Sequence, residues 1–294
     1  MKTFILSSLA LCTLGGATAF RTIPEYQQAI GRISASFVSP NNRIQADSIN
    51  STLLAENVVI RVDVTESYLG REKGTEYIWG LFANAEREAK AGRTQLLPYP
   101  INSTVASLAI QPPMIAVSTV GMFAYPTINY TLPVQMDGFI RFNDTDMTVT
   151  SWDVVFRRFA EAWKFMLENT PFVKQIAKED NIKITRKTDT TFVLANHAAK
   201  DVCKVHTQYC IGANKQCKNE DDCYGALMNK DFGEPWELGH DTLFCRYVHK
   251  YMIPLRPSVH CPHIGPTGGG MCSSNNYLDR TTKPPFTDPL IGGI

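Results

Sequence analysis

The spacing of apolar positions changes period several times along this chain. RTIPEYQQAIGRISASF, residues 21–37, sets Ile23, Tyr26, Ile30, Ile33 and Phe37 at helical spacing. A short helix is predicted over 46–55. VVIRVDV, 58–64, alternates and predicts a strand. TEYIWGLFANAEREAKAG, 75–92, returns to helical spacing and stops at Gly92 after basic residues. Ile78, Trp79 and Phe82 share one face of that helix, and such a stripe packs as core or lines a ligand cavity. Three long strand-like runs follow, 103–111, 114–125 and 128–142, then a fourth at 147–156 that gives way to helical FRRFAEAWKFMLEN. Helices first, one helix after the first strand, then a run of long strands predict an α+β domain with a curved antiparallel sheet. IAKEDNIKITRKTDTTFVLANHAAK, 176–200, reads as a polar connector with some strand character.

The two ends carry other signals. MKTFILSSLALCTLGGATAF has a basic start, an apolar run from Phe4 to Leu14, and a small-x-small site at Ala17-Thr18-Ala19. That pattern predicts a signal peptide over 1–19 and a secreted, extracellular protein. The run falls short of the roughly 20 apolar residues that a membrane span needs, and no later stretch is long and apolar enough. TKPPFTDPLIGGI closes a tail, 276–294, expected to be loose. Asn50, Asn102, Asn129 and Asn143 each start an Asn-x-Ser/Thr sequon, a glycosylation acceptor in a secreted chain. With 29 basic and 28 acidic residues, the formal charge of +1 gives no electrostatic case for a nucleic-acid partner.

Cysteine usage divides the chain. Apart from Cys12 in the leader, all cysteines fall between 203 and 272. So dense a cluster in a secreted segment reads as a disulfide framework over 201–275, while 20–175 must fold on its own core. The cluster holds Cys203, Cys210, Cys217, Cys223, Cys245, Cys261 and Cys272, an odd number. Cys217 lies in polar NKQCKNEDD and is expected to be the exposed one, either free or joining two chains as a dimer.

The element order has a counterpart. SYLGREKGTEYIWGLFA after the first strand and GFIRFNDTDMTVTSWDVVFRR at the last resemble the cone-shaped nuclear transport factor two-like fold. SnoaL-like polyketide cyclases and scytalone dehydratase share that fold. The resemblance covers about residues 22–165 and rests mainly on element order. A second resemblance is narrower. CKVHTQYCIGANKQC and DDCYGALMNKDFGEPWELGHDTLFCRYVHKYMIPLRPSVHCPHIGPTGGGMC resemble the carboxy-terminal region of uncharacterised secreted fungal cysteine-rich proteins. The pattern matches at Cys203, His206, Cys210, Gly212, Asn214, Cys223, Cys245, Arg246, His249, His260, Cys261, His263 and Cys272. It implies six bridge-forming cysteines, with Cys217 outside the pattern, and brings no activity with it.

Candidate chemistry is sparse. The GPTGGG run lacks the Gly-Lys-Ser/Thr of a phosphate loop, and its glycines fit tight turns better. VHCPHIGPTGGGMC is therefore read as two disulfide anchors around a glycine hairpin, with its histidines bonding locally. His206, His249, His260 and His263 are candidate metal ligands, weighed against oxidation of the neighbouring cysteines. Cys217 with His206 would be the pair for a thiol nucleophile, but acidic Glu220, Asp221 and Asp222 oppose a lowered thiol pKa. The cone half has no histidine before His197, so acid–base work there would fall to Asp63, Glu66, Asp137 or Asp153, helped by Tyr68 or Arg141. The histidine/aspartate pairing of scytalone dehydratase has no matching positions. The structural alternative is that Asp153 and Arg157 simply pair beside the last strand. No motif implies a cofactor.

Two functional classes follow. With no assembled acid–base set in view, the first is a non-catalytic module that binds a small apolar ligand or an extracellular surface partner. The second is a lyase, isomerase or cyclase whose carboxylates work in the cone, which requires at least one carboxyl buried in the pocket with a raised pKa; whether Asp137 or Asp153 points inward or out to solvent discriminates the two classes. Metal binding by the tail histidines is a third.

Overall fold

The computed structural model describes residues 21–65, 67–234 and 238–274. The expected leader, the tail at 276–294 and Glu66 lie outside them. Among the described residues, no helix is long and apolar enough to cross a membrane.

Helix α1 (Ile23–Ser36) opens where the Glu25 carboxylate accepts the Thr22 amide at 2.7 Å. Its apolar stripe, Tyr26, Ile30 and Ile33, is buried as the spacing predicts. Helix α2 (Asn41–Ser48) starts earlier than the predicted 46–55, because the backbone turns left-handed at Ile49 (φ 55) and ends it. Strand β1 (Leu54–Val62) claims the residues that follow. After β2 (Ser67–Leu69), one continuous helical segment runs through α3 (Arg71–Thr75), a single π-turn (Glu76–Gly80) and α4 (Leu81–Lys90). Long strands β3 (Tyr99–Gln111), β4 (Met114–Tyr125), β5 (Tyr130–Phe142) and β6 (Val149–Arg157) complete the sheet.

The sheet order is β2-β1-β6-β5-β4-β3. It is mixed rather than antiparallel throughout. β1 and β6 run parallel, and the other neighbours are antiparallel. The helices and hairpins between β1 and β6 are long enough to bring the chain back in the same direction. Alternation turns Ile115, Val117, Ile140 and Trp152 inward, where they meet α1 in one cluster. Phe139 and Val155, on the opposite face, are exposed. This is an α+β cone of the nuclear transport factor two-like type.

The carboxy-terminal region is helical: α5 (Phe159–Glu168), α6 (Thr170–Glu179), α7 (Thr190–Tyr209), α8 (Glu220–Met228), α9 (Leu243–Lys250) and α10 (Pro257–Ile264). The polar connector expected at 176–200 is not a linker and has no strand. It holds the end of α6 and half of α7, and Ile176, Val193, Leu194, Ala198 and Ala199 are buried. Nor do the two halves have separate cores. Val64, Leu81, Leu96 and Tyr125 of the cone share one cluster with Val193, Val202, Phe244 and Tyr247. A buried ion group crosses the same boundary: Lys250 Nζ lies 2.8 Å from Glu88 and 2.5 Å from Asp201.

Three disulfides staple the helices: Cys203–Cys223 ties α7 to α8, Cys210–Cys261 ties the end of α7 to α10, and Cys245–Cys272 ties α9 to the chain beyond α10. Each stabilises by about 2–4 kcal/mol. Cys217 is unpaired. It is buried, not exposed as its polar neighbours suggested, and burial raises its thiol pKa, with Asp222 adding to the effect.

Candidate functional site

The cone encloses a cavity of about 140 Å³. Its wall is almost wholly apolar and aromatic, with Phe37, Tyr68, Tyr77, Phe123, Trp152 and Phe156 prominent. Asp63, Asp137 and Asp153, the carboxyl candidates among the described residues, do not enter it. Asp137 sits in the wall, but strand alternation turns its carboxylate to the outer face. There it accepts from Ser118 at 2.5 Å and Gln135 at 2.9 Å, and pairs with Arg157. The Ser118 hydrogen bond, with Gln135 and Arg157, holds its pKa below the ordinary value. Asp153, beside inward Trp152, likewise faces out and binds the Arg61 guanidinium at 2.7 and 2.8 Å. The expected Asp153–Arg157 pair is thus exchanged for Arg61–Asp153 and Arg157–Asp137. Arg141 shares the outward register of Asp137, four residues along β5. Asp63, at the end of β1, is exposed and accepts the Phe156 amide at 3.1 Å.

Tyr68, named with these carboxyls as a helper, does present its side chain to the cavity. Its ring stacks on Tyr77 at 3.9 Å, and its hydroxyl donates to Thr65. Tyr77 lies in the π-turn, a helical irregularity common at functional sites. Its hydroxyl meets His249 Nε2 at 2.7 Å across 172 positions of sequence. The tautomer follows from the other nitrogen. His249 Nδ1 is 2.8 Å from the carbonyl of Cys245, which can only accept. Nδ1 therefore carries the proton, and Nε2 accepts from Tyr77. Burial, then the neighbouring His263 and His260, keep His249 well below the ordinary histidine pKa and so neutral. The cone lacks a histidine of its own; α9 supplies one from behind the wall.

Glu76, one residue earlier, points into the same region from the π-turn. It is fully buried and pairs with Arg256 at 2.5 and 2.6 Å and with His260 at 3.0 Å. Burial alone would raise its pKa, but the hydrogen bonds from His260 and Arg256 outweigh it and keep the carboxyl ionised. His263 completes a cluster of imidazoles, its ring centre 5.0 Å from His249 and 5.3 Å from His260. Burial, His260 and Lys73 lower it to about 4. The Nδ1 atoms of His260 and His263 are buried and have no hydrogen-bond partner.

The metal candidates divide. The His206 pKa is lowered by burial and by Lys215, and its Nε2 accepts the backbone amides of Gln216 at 2.9 Å and Cys217 at 3.3 Å. That clamps a loop and leaves His206 outside the imidazole cluster. Among the described residues, the ligand atoms that gather within 4.8 Å of one another belong to Cys245, His249 and Cys272. The two sulfurs are joined in a disulfide, so neither is a thiolate. The glycine run has a plain role as well. It wraps the buried Arg246, whose guanidinium donates to the carbonyls of Gly265 and Pro266 at 3.0 Å and of Thr242 at 2.8 Å. VHCPHIGPTGGGMC is thus a helix followed by a glycine turn, not a hairpin, and its cysteines bond to distant Cys210 and Cys245 rather than to each other. Three sequon asparagines, Asn50, Asn102 and Asn129, are exposed, and Asn143 is half-buried.

Sequence reasoning missed Glu76 and Tyr77. The available signal was a glutamate and a tyrosine inside the most apolar turn of the predicted helix, where a polar group needs a partner.

The chain is 33% identical over 262 residues to Bifonsecin B biosynthesis cluster protein A of Aspergillus brasiliensis, covering 88% of this chain and 83% of that one. It is also 33% identical to Aurasperone B biosynthesis cluster protein A of Aspergillus niger, covering 88% and 81%. A solved structure classed as a SnoaL-like polyketide cyclase, from Jannaschia sp. CCS1, aligns with a TM-score of 0.33 at 9% identity, over 46% of this chain and 90% of that one. Residues 31–154 match the BfoA N-terminal domain and residues 158–275 match the BfoA family C-terminal domain, so the chain belongs to the BfoA family.

Proposed function

We propose that the protein binds a small, largely apolar, carbonyl-bearing intermediate of a biosynthetic route in the cone and moves a proton on it, as an isomerase, cyclase or dehydratase does. The observation that carries this reading is the 2.7 Å hydrogen bond from Tyr77, in the cavity wall, to neutral His249. A phenol is a poor base alone. With His249 Nε2 ready to accept, Tyr77 can take a proton from the ligand while passing its own to the imidazole. The buried imidazole resists charging, so the relay is a weak base and suits an already acidic carbon, such as one between two carbonyls. Relatives named for the bifonsecin B and aurasperone B biosynthesis clusters support a place in small-molecule synthesis. The leader, the sequons and the three disulfides support passage through a secretory route.

The test is deuterium exchange at the central carbon of 1-phenylbutane-1,3-dione, followed by NMR in heavy water with and without protein. Binding of the same diketone is read separately from quenching of Trp152, which lines the cavity. Wild type is expected to accelerate exchange. Tyr77→Phe is expected to lose that acceleration by about 10²–10⁴-fold while still quenching the tryptophan. Quenching without acceleration in wild type would leave the non-catalytic binding module as the correct reading.

A further inference from the structure

We propose that Cys245, Cys272 and His249 form a second, thiol-dependent site that takes a transition-metal ion of the zinc type when the Cys245–Cys272 bond is open. The three ligand atoms lie within 4.8 Å of one another and all three residues are buried. His249 Nδ1 is 3.4 Å from the Cys272 sulfur and 3.8 Å from the Cys245 sulfur. Two thiolates and an imidazole nitrogen are a strong zinc set, and zinc prefers a fourth ligand in a tetrahedron. A second observation supplies it. His263 stands with its ring centre 5.0 Å from that of His249, and its Nδ1 is buried with no partner. That nitrogen is outside the group within 4.8 Å, so the His263 side chain has to turn for it to serve as the fourth ligand.

The chemistry balances. A dithiol reductant passes two electrons and two protons to the Cys245–Cys272 bond and closes to its own cyclic disulfide. The metal then displaces the two thiol protons and binds His249 at Nδ1, whose proton is replaced by one on Nε2. Closing the disulfide removes both thiolates and expels the ion. The site therefore has two exclusive states, bridged and metal-bound. It shares His249 with the proton relay proposed above. With Nε2 protonated, His249 donates to Tyr77 instead of accepting from it, and the Tyr77 hydrogen is turned loose from the imidazole.

The experiment uses the full chain, oxidised and after reduction, titrated anaerobically with cobalt(II) as a spectroscopic stand-in for zinc. The expected result is one cobalt per reduced chain, with near-ultraviolet thiolate-to-cobalt absorption and visible bands of tetrahedral intensity that zinc bleaches. The oxidised chain should show neither. Cys245→Ser with Cys272→Ser should abolish the bands, although the cysteines of the other two bridges remain. Thermal melting separates a folded site from scavenging by unfolded chain, because an ion bound to the native state raises the midpoint and one bound to the unfolded state lowers it. Absence of bands in the reduced wild type, bands that persist in the double serine variant, or a lowered midpoint would each overturn the proposal.

Discussion

At the scale of the residue, Glu76 is the most exacting position in the cone–lobe contact. It is a fully buried carboxylate whose partners, Arg256 and His260, both come from the other half of the chain. Glu72 is the other carboxyl on Arg256 and stays in place when Glu76 changes. Glu76→Gln at neutral pH should therefore cost about 3 kcal/mol, the low end for breaking a buried pair, measured by urea unfolding. The pH dependence has a definite sign. The folded Glu76 pKa lies below its ordinary 4.5. Its contribution is fully present above 4.5 and is lost as pH falls through the lower, folded value. The stability gap between wild type and Glu76→Gln should then shrink as pH drops below 4.5. A gap that stays constant down to acid unfolding would show that the charge of Glu76 is not what holds the contact. At this scale the sequence was least informative. Tyr68 could be singled out from Tyr-x-Gly-Arg, and the tail histidines from their pattern. That His249 reaches Tyr77 depends on the lobe docking behind the wall, which no local spacing records.

At the scale of the element, local rules did better. The five longer strands and the helices at 23–36 and 81–90 stand where alternation and helical period place them, with edges shifted by capping and turns. Two elements escaped for identifiable reasons. The π-turn inserts its extra residue without any change in composition, so TEYIWG reads as ordinary helix. The end of α6 and the first half of α7 are joined by polar DNIKITRKTD, 180–189, which masked a stripe of Val193, Leu194, Ala198 and Val202 at helical spacing. The glycine turn gives a paired prediction. Gly269 has φ +54, and an added Cβ would stand 2.7 Å from the Pro262 carbonyl carbon. Gly270 has φ +82 but open space around it. Gly270→Ala should cost about 1–2 kcal/mol from left-handed backbone alone. Gly269→Ala should cost more, because backbone must also move, and should loosen the wrap around Arg246. Equal denaturation midpoints for the two variants would refute the close-approach argument.

At the scale of the whole molecule, the division suggested by cysteine content is misleading about folding. A cysteine-free first half and a stapled second half look like two units, and the family match also has two parts. The packing joins them. Val64, Leu81, Leu96 and Tyr125 of the cone have the lobe as their core partner, and Lys250 brings a buried charge to Glu88. Removing the lobe would expose those side chains, at about 25 cal/mol for each Å² of apolar surface uncovered. It would also leave Glu76 without its cation and Glu88 with Arg93 alone. A chain ending at residue 157 should therefore keep strand signal in the far ultraviolet, lose its near-ultraviolet aromatic spectrum, and bind a hydrophobic dye, the marks of a loosely packed state. A sharp, two-state thermal transition for that fragment would mean the cone is self-sufficient. The lobe would then be an accessory cap, and the pairing of Tyr77 with His249 would be a product of docking rather than part of the fold that the cone requires.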